Sequence, residues 1–436
     1  MSSHIQKVKN NLNSIIERMS ENTEKFVKNP GKDFTRKRKL SFPETLKILI
    51  TMGGNSLSSE LLEHFDYSVE TATCSAFIQQ RSKINDSALP FLFRQFTSTA
   101  KKLNTYKGYR VLAADGSTLD IYPNPNDDET YFQNTPCRKG FNQLHLNAVY
   151  DLCNKIYTDA QIQPKRKMNE TRALINMIDD SNYPKKTILV ADRRYESYNI
   201  FAHIDQKGYK YAIRVKDLTS GNSMLQSLNL PKTGVFDIDV NLKLTRKQTN
   251  EVKANPELYK IIYPSNTFDY LESKSSAIYP MSFRVVRFEI ESGKHECIIT
   301  NLDKSEFTPT EIKELYRMRW GIETSFRELK YSIGLVNLHA KKAELVEQEI
   351  FARLITFNFC SMLVCAVAVK QKLTKYAYQA NFTVAVQVCK LFFRSKVPPN
   401  NVEPLILKYI LPVRKNRTYD RDLSPKPFVS FTYRVA

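Results

Sequence analysis

The sequence predicts an α/β protein with a helical segment before the mixed region, a β-rich insertion within it and a helical segment after it. Three observations lead to this prediction. Short apolar runs typical of buried strands alternate with helical patterns between residues 109 and 215. Strictly alternating apolar and polar residues fill much of 216–307. Apolar residues at helical spacing dominate 1–105 and most of the chain after 308.

The composition bounds the class of protein. The 436 residues are enough for about two to four structural units, and 42% hydrophobic residues supply a sizeable core. With 65 basic against 45 acidic side chains, the net charge is +20. This charge favours nucleic acid as a partner, with an anionic membrane surface or simply a basic soluble protein as alternatives. Seven scattered cysteines without a CxxC pair fit reduced thiols in the cytosol and argue against structural zinc.

The hydropathy of the sequence does not indicate a membrane protein. Residues 1–20 are polar and lack the apolar segment of a signal peptide. The most apolar run, 354–369, is shorter than a bilayer span, and it is therefore predicted as a buried helix.

Residues 1–105 are predicted to form a helical domain. Helical patterns cover 5–19, 42–50 and 68–84, and the basic run 36–39 lies between the first two. Short helices with basic and amide side chains are typical of a domain that contacts DNA. A helical bundle with solvated charges is the alternative.

Two strands of the mixed region each deliver an aspartate. Residues 109–114 form an apolar strand that is predicted to end at Asp115, and 187–191 form another that ends at Asp192. Open α/β sheets bind ligands at the carboxyl ends of their strands, so the two carboxylates are expected side by side. A turn or a helix cap is the alternative role for each aspartate. His145, on the next strand, is interpreted as a core residue whose hydrogen bonds are satisfied.

Residues 216–307 are predicted as a β-rich insertion that interrupts the α/β sheet. Strand patterns cover 236–244, much of 283–290, and 295–300. The basic side chains of this insertion suit a grip on DNA or the decoration of a sheet edge, and both interpretations stay open.

Residues 308–334 are predicted as one helix. Thr308 and Glu311 form a capping box with Pro309 at the first helical position, and Gly334 ends the helix. Apolar positions at helical spacing supply its packing face: Ile312, Leu315, Ile322, Phe326 and Leu329.

Four polar side chains share one face of this predicted helix. At about 100° per residue, an arc of about 60° contains Tyr316, Arg319, Glu323 and Lys330. A carboxylate flanked by cations suits a site that holds a metal ion beside a phosphate. An ordinary surface ion pair between Arg319 and Glu323 is the alternative.

The candidate catalytic and metal-binding residues are Asp115, Asp192 and Glu323. Three carboxylates supply the oxygen ligands that Mg²⁺ or Mn²⁺ prefers, whereas zinc prefers nitrogen and sulfur. Two such ions can activate a water or a 3′-hydroxyl and stabilise the leaving oxygen of a phosphodiester.

The neighbouring polar side chains are candidates for binding DNA phosphates. Arg319 and Lys330 can hold phosphates, and Tyr316 can donate a hydrogen bond to a phosphate oxygen. Arg193, directly after Asp192, can contact the DNA backbone. The sequence has no serine nucleophile elbow, P-loop or GxGxxG motif, so serine-hydrolase, nucleoside-triphosphatase and dinucleotide-binding functions lack support.

At these positions the sequence resembles a known family. The spacing Tyr316-x2-Arg319-x3-Glu323-x6-Lys330 matches the Tyr-Arg-Glu-Lys signature of the bacterial insertion-sequence DDE transposases of the insertion sequence four family. The resemblance covers about residues 105–370 and includes both aspartates and the insertion before the glutamate. It implies a ribonuclease-H-like catalytic core in which the three candidate carboxylates form an Asp-Asp-Glu metal site.

The resemblance also implies cut-and-paste transposition. Such an enzyme cleaves double-stranded DNA at the terminal repeats of its element, in some members through a DNA hairpin, and joins the ends to target DNA. It implies two Mg²⁺ or Mn²⁺ ions per active site, a homodimer in the synaptic complex, no membrane partner, and a location in the bacterial cytoplasm with the nucleoid.

Hairpin-forming members of the family hold a flipped base with an aromatic residue of the insertion. The only tryptophan here, Trp320, lies on the predicted helix instead and is interpreted as a packing residue. The sequence does not choose among the aromatic candidates in the insertion, which are Phe236, Tyr263, Phe268 and Tyr270.

The complete prediction divides the chain into five parts. These are a helical DNA-binding domain (1–105), the two parts of the ribonuclease-H-like core (106–215 and 308–370), the β-rich insertion (216–307), and a helical C-terminal region with a basic tail (371–436). A ribonuclease-H-like nuclease without strand transfer, or an inactive DNA-binding relative, are the alternative functions.

Overall fold

The structure is a computed structural model that describes residues 2–101, 103–133, 140–367 and 377–413. Its helices are α1 (Ser2–Glu21), α2 (Phe42–Thr51), α3 (Leu57–His64), α4 (Cys74–Arg81), α5 (Ala88–Thr97), α6 (Glu170–Asp179), α7 (Tyr198–Gln206), α8 (Asn250–Ala254), α9 (Pro309–Met318), α10 (Trp320–Arg327), α11 (Ala343–Ala366), α12 (Phe382–Phe393) and α13 (Pro399–Lys408). Its strands are β1 (Arg110–Ile121), β2 (Tyr131–Phe132), β3 (Phe141–Asp151), β4 (Ile156–Pro164), β5 (Thr187–Ala191), β6 (Lys210–Val215), β7 (Phe236–Thr245), β8 (Tyr259–Ile261), β9 (Ile278–Glu291), β10 (Lys294–Thr300), β11 (Ala377–Ala380) and β12 (Ile410–Val413). The predicted basic tail from residue 414 onward lies outside the described residues.

One mixed sheet forms the centre of the described part of the chain. Its strand order is β2-β3-β1-β5-β6-β10-β9-β7-β8, and β4 pairs with β3 along the same edge as β2. The strands β1, β5 and β6 are parallel, whereas β1, β3 and β4 form an antiparallel meander. Helices α6 and α7 supply apolar side chains to the core on one face of this sheet, and α9 supplies them on the other.

The strands predicted as an insertion extend this same sheet. Strand β10 pairs with β6, and β9 lies between β10 and β7. Residues 283–288 of β9 are buried on both faces, as expected for a strand inside a sheet and not at its edge. The segment 216–307 therefore contributes to the central sheet and does not fold as a separate β layer.

Helix α11 is the centre of the helical layer. Helices α1, α2, α5 and α12 pack around it, which explains why this helix is apolar all round. It is the only described helix that is long and apolar enough to cross a membrane, and most of it is buried inside the protein. The prediction of a buried helix is thus confirmed for residues 354–366.

Four sequence-based boundaries were wrong, each because of a non-local contact or local cap. Strand β1 continues past Asp115 to Ile121, since β3 gives it an antiparallel partner over its whole second half. The helix predicted from residue 68 begins at Cys74, where the Thr73 hydroxyl accepts a hydrogen bond from the Ala76 N–H.

The other two boundary errors concern the second half of the chain. The single helix predicted for 308–334 consists of α9, α10 and a π-helical segment, Glu328–Ile333. The described part of the C-terminal region contains a two-stranded sheet, β11 with β12, besides the predicted helices. The capping box and the end of the helix at Gly334 (φ +97°) are confirmed.

A buried charge network joins the N-terminal helices to α11. The Arg81 guanidinium donates to the Glu349 carboxylate (2.6 Å) and to the Leu345 carbonyl (2.6 Å), and both charged side chains are 1% exposed. Glu349 also accepts from the His339 backbone N–H (2.8 Å). Burial alone would raise the pKa of Glu349, but Arg81, His339 and Arg353 together lower it below its usual range.

We expect Glu349→Gln to destabilise the protein by about 3–5 kcal/mol, because the substitution leaves buried arginine charge uncompensated. Chemical denaturation measures the change in the free energy of unfolding. The matched control is Glu344→Gln on the same helix, which breaks only the exposed pair with Lys28 (2.9 Å) and is expected to cost less than about 1 kcal/mol. Equal effects of the two substitutions would contradict this account.

Candidate active site

The two predicted aspartates lie next to each other in the sheet. Strands β1 and β5 are paired in parallel as far as Ala114 and Ala191, and Asp115 and Asp192 are the residues that follow on each strand. Beyond this point β1 continues with β3 alone, whereas the chain after β5 turns away at Asp192. The strands therefore separate at the two aspartates, which leaves a gap in the sheet beside them.

Each aspartate uses one carboxylate oxygen in a local hydrogen bond. Asp115 Oδ1 accepts from the Gly116 N–H (2.8 Å), and Asp192 Oδ1 accepts from the Arg194 N–H (2.8 Å). The second hydrogen bond makes Asp192 the N-cap of a short 3₁₀ turn, Arg193–Tyr195. These bonds fix the orientation of both side chains and leave the Oδ2 atoms without a hydrogen-bond donor among the described residues.

Arg319 brings the helical side of the site to the aspartates. The residue sits between α9 and α10, where the chain tightens: the Arg319 N–H donates to the Tyr316 carbonyl and the Ile322 N–H donates to the Arg319 carbonyl, both at 3.0 Å. This break in the helix separates apolar residues that pack in two different hydrophobic cores. Residues of α9 pack under the sheet, whereas Ile322 and Phe326 of α10 pack in the core around α11.

The Arg319 side chain bridges two of the three candidate carboxylates. Its Nη2 donates to Glu323 Oε1 (2.7 Å), and its Nη1 lies 3.9 Å from Asp115 Oδ2. The guanidinium also lies 5.7 Å from the ring centroid of Tyr316 and 5.2 Å from that of Trp320. Arg319 is buried, so the ordinary surface ion pair considered as an alternative does not describe it.

Burial and neighbouring carboxylates change the titration of Asp115. Burial raises its pKa to about 6, and the charges of Asp192 and Glu323 act in the same direction. The Gly116 N–H and Arg319 oppose this rise without cancelling it. Burial is therefore the main reason that Asp115 holds its proton more readily than a free aspartate does.

The remaining predicted residues occupy different environments. Lys330 lies on the π-helical segment, and its Nζ donates to the Thr118 carbonyl of β1 (3.0 Å). Arg193 is exposed beside Asp192. The Tyr316 side chain is buried among apolar residues, and its hydroxyl has no hydrogen-bond partner among the described residues. The arc predicted on a regular helix thus includes one residue, Tyr316, that packs inward.

Sequence analysis missed a layer of residues behind Asp115. His145 Nε2 lies 2.9 Å from Glu170 Oε1, and the same oxygen lies 3.2 Å from Arg194 Nη1. A Cβ atom on Gly116 would lie 2.3 Å from His145 Nε2, so only glycine fits there. His145 is buried as predicted, but its Nε2 meets Glu170 as a close contact without hydrogen-bond geometry, so its hydrogen bonds are not all satisfied. Glu170 could not be found from the sequence, because the contact joins β3 to α6.

The interpretation of Trp320 as a packing residue was wrong. Its side chain is 57% exposed at the start of α10, three residues before Glu323. Helical spacing alone could not reveal this, because the irregularity at Arg319 changes which face of α10 meets the core. The site therefore has an exposed aromatic ring at its rim.

The donor chemistry of the site fits a hard divalent cation. Each of the three carboxylates keeps one oxygen without a hydrogen-bond donor in the described part of the chain, and a cation would offset both the burial and the neighbouring negative charges that raise the pKa of Asp115. In this structure, however, no group of three Asp, Glu, His or Cys side chains among the described residues is arranged to hold a metal ion. In this structure Glu323 is paired with Arg319.

The geometry defines a class of protein. A mixed sheet gathers carboxylates where its parallel strands separate, a buried arginine crosses them, and the whole chain carries a net charge of +20. This combination is typical of enzymes that act on the phosphodiesters of a nucleic acid.

A comparison with protein families makes the assignment specific. The family model described as "Transposase DDE domain" matches residues 106–359, more than half of the chain. The chain belongs to this family. The resemblance to bacterial insertion-sequence DDE transposases is therefore confirmed.

Curated relatives match shorter parts of the chain. The putative transposase InsL for insertion sequence element IS186A of Escherichia coli (strain K12) is 38% identical over 73 residues, which are 16% of this chain and 20% of that protein. Transposase InsG for insertion sequence element IS4 of the same organism is 26% identical over 151 residues, which are 31% of this chain and 33% of that protein. The matches thus span a third or less of these relatives.

A solved structure shares distant overall similarity. The chain aligns with a structure described as a cryo-EM structure of the piggyBac transposase synaptic complex with hairpin DNA. The alignment covers 96% of this chain and 84% of that one, with 9% identity and a TM-score of 0.44.

We expect Gly116→Ala to destabilise the protein by about 1–3 kcal/mol, since the added Cβ would overlap the His145 ring. Gly221→Ala is the matched control, because a Cβ there meets nothing within 4 Å. Denaturant unfolding of Gly116→Ala, His145→Ala and the double variant tests the cause. The double variant should lose less stability than the sum of the two single losses, and strict additivity would exclude the proposed clash.

We expect Asp115→Asn to stabilise the metal-free protein at pH 8 by about 1–3 kcal/mol. The folded-state pKa of about 6 lies above the ordinary value of 3.8, so the ionised carboxylate costs folding free energy above pH 6. This cost fades as the pH falls toward 4, and the advantage of asparagine fades with it. Thermal unfolding in a chelator at pH 8, 6 and 4.5 measures the effect. The control is Asp128→Asn, an exposed aspartate, and a gain that does not depend on pH would contradict the account.

Proposed function

We propose that this protein is a DNA transposase that cleaves phosphodiester bonds at the ends of an insertion element and transfers the cut strands to target DNA. The observation that carries the proposal is the contact of Arg319 with Asp115 and Glu323, beside the strand end that carries Asp192, in a chain of the DDE transposase family. Family membership supports the reaction class, and the site geometry supports these residues as its centre.

In this proposal the three carboxylates hold divalent metal ions. The family generally depends on divalent metals, and Asp115, Asp192 and Glu323 offer the all-oxygen donor set that suits Mg²⁺ or Mn²⁺, with two ions as the expected number. When bound, the ions supply Lewis-acid stabilisation of the attacking and leaving oxygens. Glu323 Oε1 accepts from Arg319, and its other oxygen would be the one available to an ion.

Arg319 is assigned to a phosphate of the element end. Arg319 is always charged and carries a planar fork of donors that matches a phosphate. Lys330 and Arg193 lie on the helix and strand sides of the site and are assigned to phosphates of the element end. Tyr316 supports the position of Arg319 through its ring. Its hydroxyl is buried, and the contact of this hydroxyl with a phosphate stays a prediction.

We further propose that the five strands β4, β3, β1, β5 and β6 form a ribonuclease-H-like core. An antiparallel meander followed by two parallel strands supports this assignment. Double-stranded DNA is the proposed substrate, both as terminal repeats and as target, and the net charge of +20 supports it. A homodimer in the synaptic complex and a cytoplasmic location are the family expectations.

A hairpin intermediate belongs to the proposal as an open step. The exposed ring of Trp320 at the rim of the site offers a surface on which a DNA base can stack. Phe268 is buried, whereas Tyr263 is exposed on the loop after β8. The exposed rings are therefore better placed for such a contact than Phe268.

We expect Glu323→Gln to lower metal-dependent nicking by about 10²- to 10³-fold while the protein keeps its fold and its affinity for DNA. The amide oxygen of glutamine can still accept the Arg319 hydrogen bond, but it is a weaker ligand for a cation. Nicking of a plasmid that carries the flanking DNA of the gene, with Mg²⁺ or Mn²⁺, measures the effect.

The control for this experiment is Glu314→Gln, which removes an exposed carboxylate of α9. Unchanged nicking by Glu323→Gln would overturn the assignment of the third carboxylate. Nicking without the joining of pre-cut ends would instead favour a nuclease without strand transfer. DNA binding without nicking by the unsubstituted protein would favour an inactive relative.

A further inference from the structure

The two candidate aspartates lie where the sheet stops fixing their separation. The pairing of β1 with β5 ends one residue before Asp115 and before Asp192. Each Oδ1 atom accepts a hydrogen bond from an N–H of its own chain segment, that of Gly116 or that of Arg194, both at 2.8 Å. The distance between the two carboxylates therefore depends on the contacts that join these two segments.

Glu170, the first residue of α6, contacts both segments. On the β5 side, its Oε1 accepts a hydrogen bond from Arg194 Nη1 (3.2 Å). On the β1 side, the same oxygen lies 2.9 Å from His145 Nε2. The His145 ring packs directly against Gly116, because a Cβ atom there would lie only 2.3 Å from Nε2. A continuous path of contacts therefore runs from Gly116 through His145 and Glu170 to Arg194.

Contacts on the other side of the ring orient His145. The Lys165 ammonium donates to Thr118 Oγ1 (3.3 Å), so the hydroxyl proton of Thr118 is available for His145 Nδ1, which is also 3.3 Å away. With Nδ1 as the acceptor, a neutral ring carries its proton on Nε2, the atom that faces Glu170. The contact of Nε2 with Glu170 lacks hydrogen-bond geometry and is therefore electrostatic.

The centre of this path is shielded from water. The side chains of His145 and Glu170 are 2% and 10% exposed, whereas that of Arg194 is 64% exposed. The contact with His145 is the main reason that the pKa of Glu170 lies below its ordinary value, and Arg194 acts in the same direction against the effect of burial. The Glu170 carboxylate is thus ionised at neutral pH and attracts a partner on each side.

We propose that Glu170 is a positioning residue for the two candidate metal-binding aspartates. Through His145 and Arg194 it holds the segments that carry them at the separation that the divalent ions of the proposed site need. Residues behind metal ligands orient those ligands, and their loss typically lowers metal affinity about 10- to 100-fold. In this role Glu170 touches neither an ion nor the DNA. The inference rests on the proposed function and adds to it the group that sets the geometry of the carboxylates.

Binding of Mn²⁺ to the full chain without DNA, measured from the electron paramagnetic resonance signal of free Mn²⁺, tests the proposal. Arg194→Ala keeps the backbone N–H that donates to Asp192, but it removes the contact with Glu170. If Arg194 acted only through its charge, loss of a cation beside the site would strengthen Mn²⁺ binding. Positioning by Glu170 predicts the opposite sign, a loss of affinity of about tenfold.

Glu170→Asp is the second variant, because it keeps the negative charge and shortens the side chain by a methylene group. The shorter carboxylate cannot reach both of its partners, so Mn²⁺ affinity is expected to fall by about 10- to 100-fold. A role of Glu170 through its charge alone predicts an unchanged affinity.

The matched controls are Lys253→Ala and Glu257→Asp, which change exposed residues of α8 and of the loop after it and should leave Mn²⁺ affinity unchanged. Thermal unfolding in a chelator shows whether each variant is folded at the temperature of the measurement. Arg194 is exposed, so its variant decides the test even where Glu170→Asp does not fold. Unchanged or stronger Mn²⁺ binding in Arg194→Ala, or unchanged binding in a folded Glu170→Asp, would overturn the proposal.

The test also separates the positioning role from the proposed function. Mn²⁺ binding that is lost in Asp115→Asn, but does not respond to Arg194→Ala or Glu170→Asp, would overturn the positioning role alone. Absence of Mn²⁺ binding to the unsubstituted protein would overturn the proposed metal site, and the positioning role would fall with it.

Discussion

The contact of Arg319 with two carboxylates is the interaction on which the candidate site depends. Its guanidinium holds Glu323 at 2.7 Å and faces Asp115 at 3.9 Å in a partly buried setting. Without this charge, burial would leave several carboxylates close together with little to offset their repulsion. An arginine remains charged at every physiological pH, so the neutralisation it provides is permanent. Arg319 lies at the irregular turn between α9 and α10, and from there its side chain extends toward Asp115 of β1.

The scaffold around this contact uses two cores that meet at the same turn. Helix α9 packs under the parallel strands, whereas α10 joins the core around α11, to which the N-terminal helices also belong. The side of the sheet that carries the candidate site and the helical layer are therefore linked through Arg319 and its neighbours. A change in the packing of α11 would be transmitted to Glu323 through Ile322 and Phe326, because all three lie on the short helix α10.

Local patterns in the sequence predicted the elements, but not how they continue or combine. The apolar run before Asp115 correctly indicated a strand, and the capping box correctly placed the start of α9. The extension of β1 depends on its pairing with β3, and the shared sheet of β6 and β10 depends on contacts far apart in the chain. The same limit applies to the candidate site. Its carboxylates could be chosen by residue type, whereas the contacts of Arg319 and the exposure of Trp320 follow from tertiary packing.

A comparison of the two buried arginine centres explains why one is structural and the other a candidate for chemistry. Arg81 and Glu349 are 1% exposed, and their donors and acceptors find protein partners on α11 and the preceding loop. Arg319 and Glu323 are paired just as closely, yet Glu323 is 39% exposed and keeps a free oxygen. A closed ion pair gains nothing from a ligand, because every group is already satisfied. An ion pair that is open to solvent, beside carboxylates that repel each other, is stabilised by a cation that binds there. This difference in free energy is what a binding site requires.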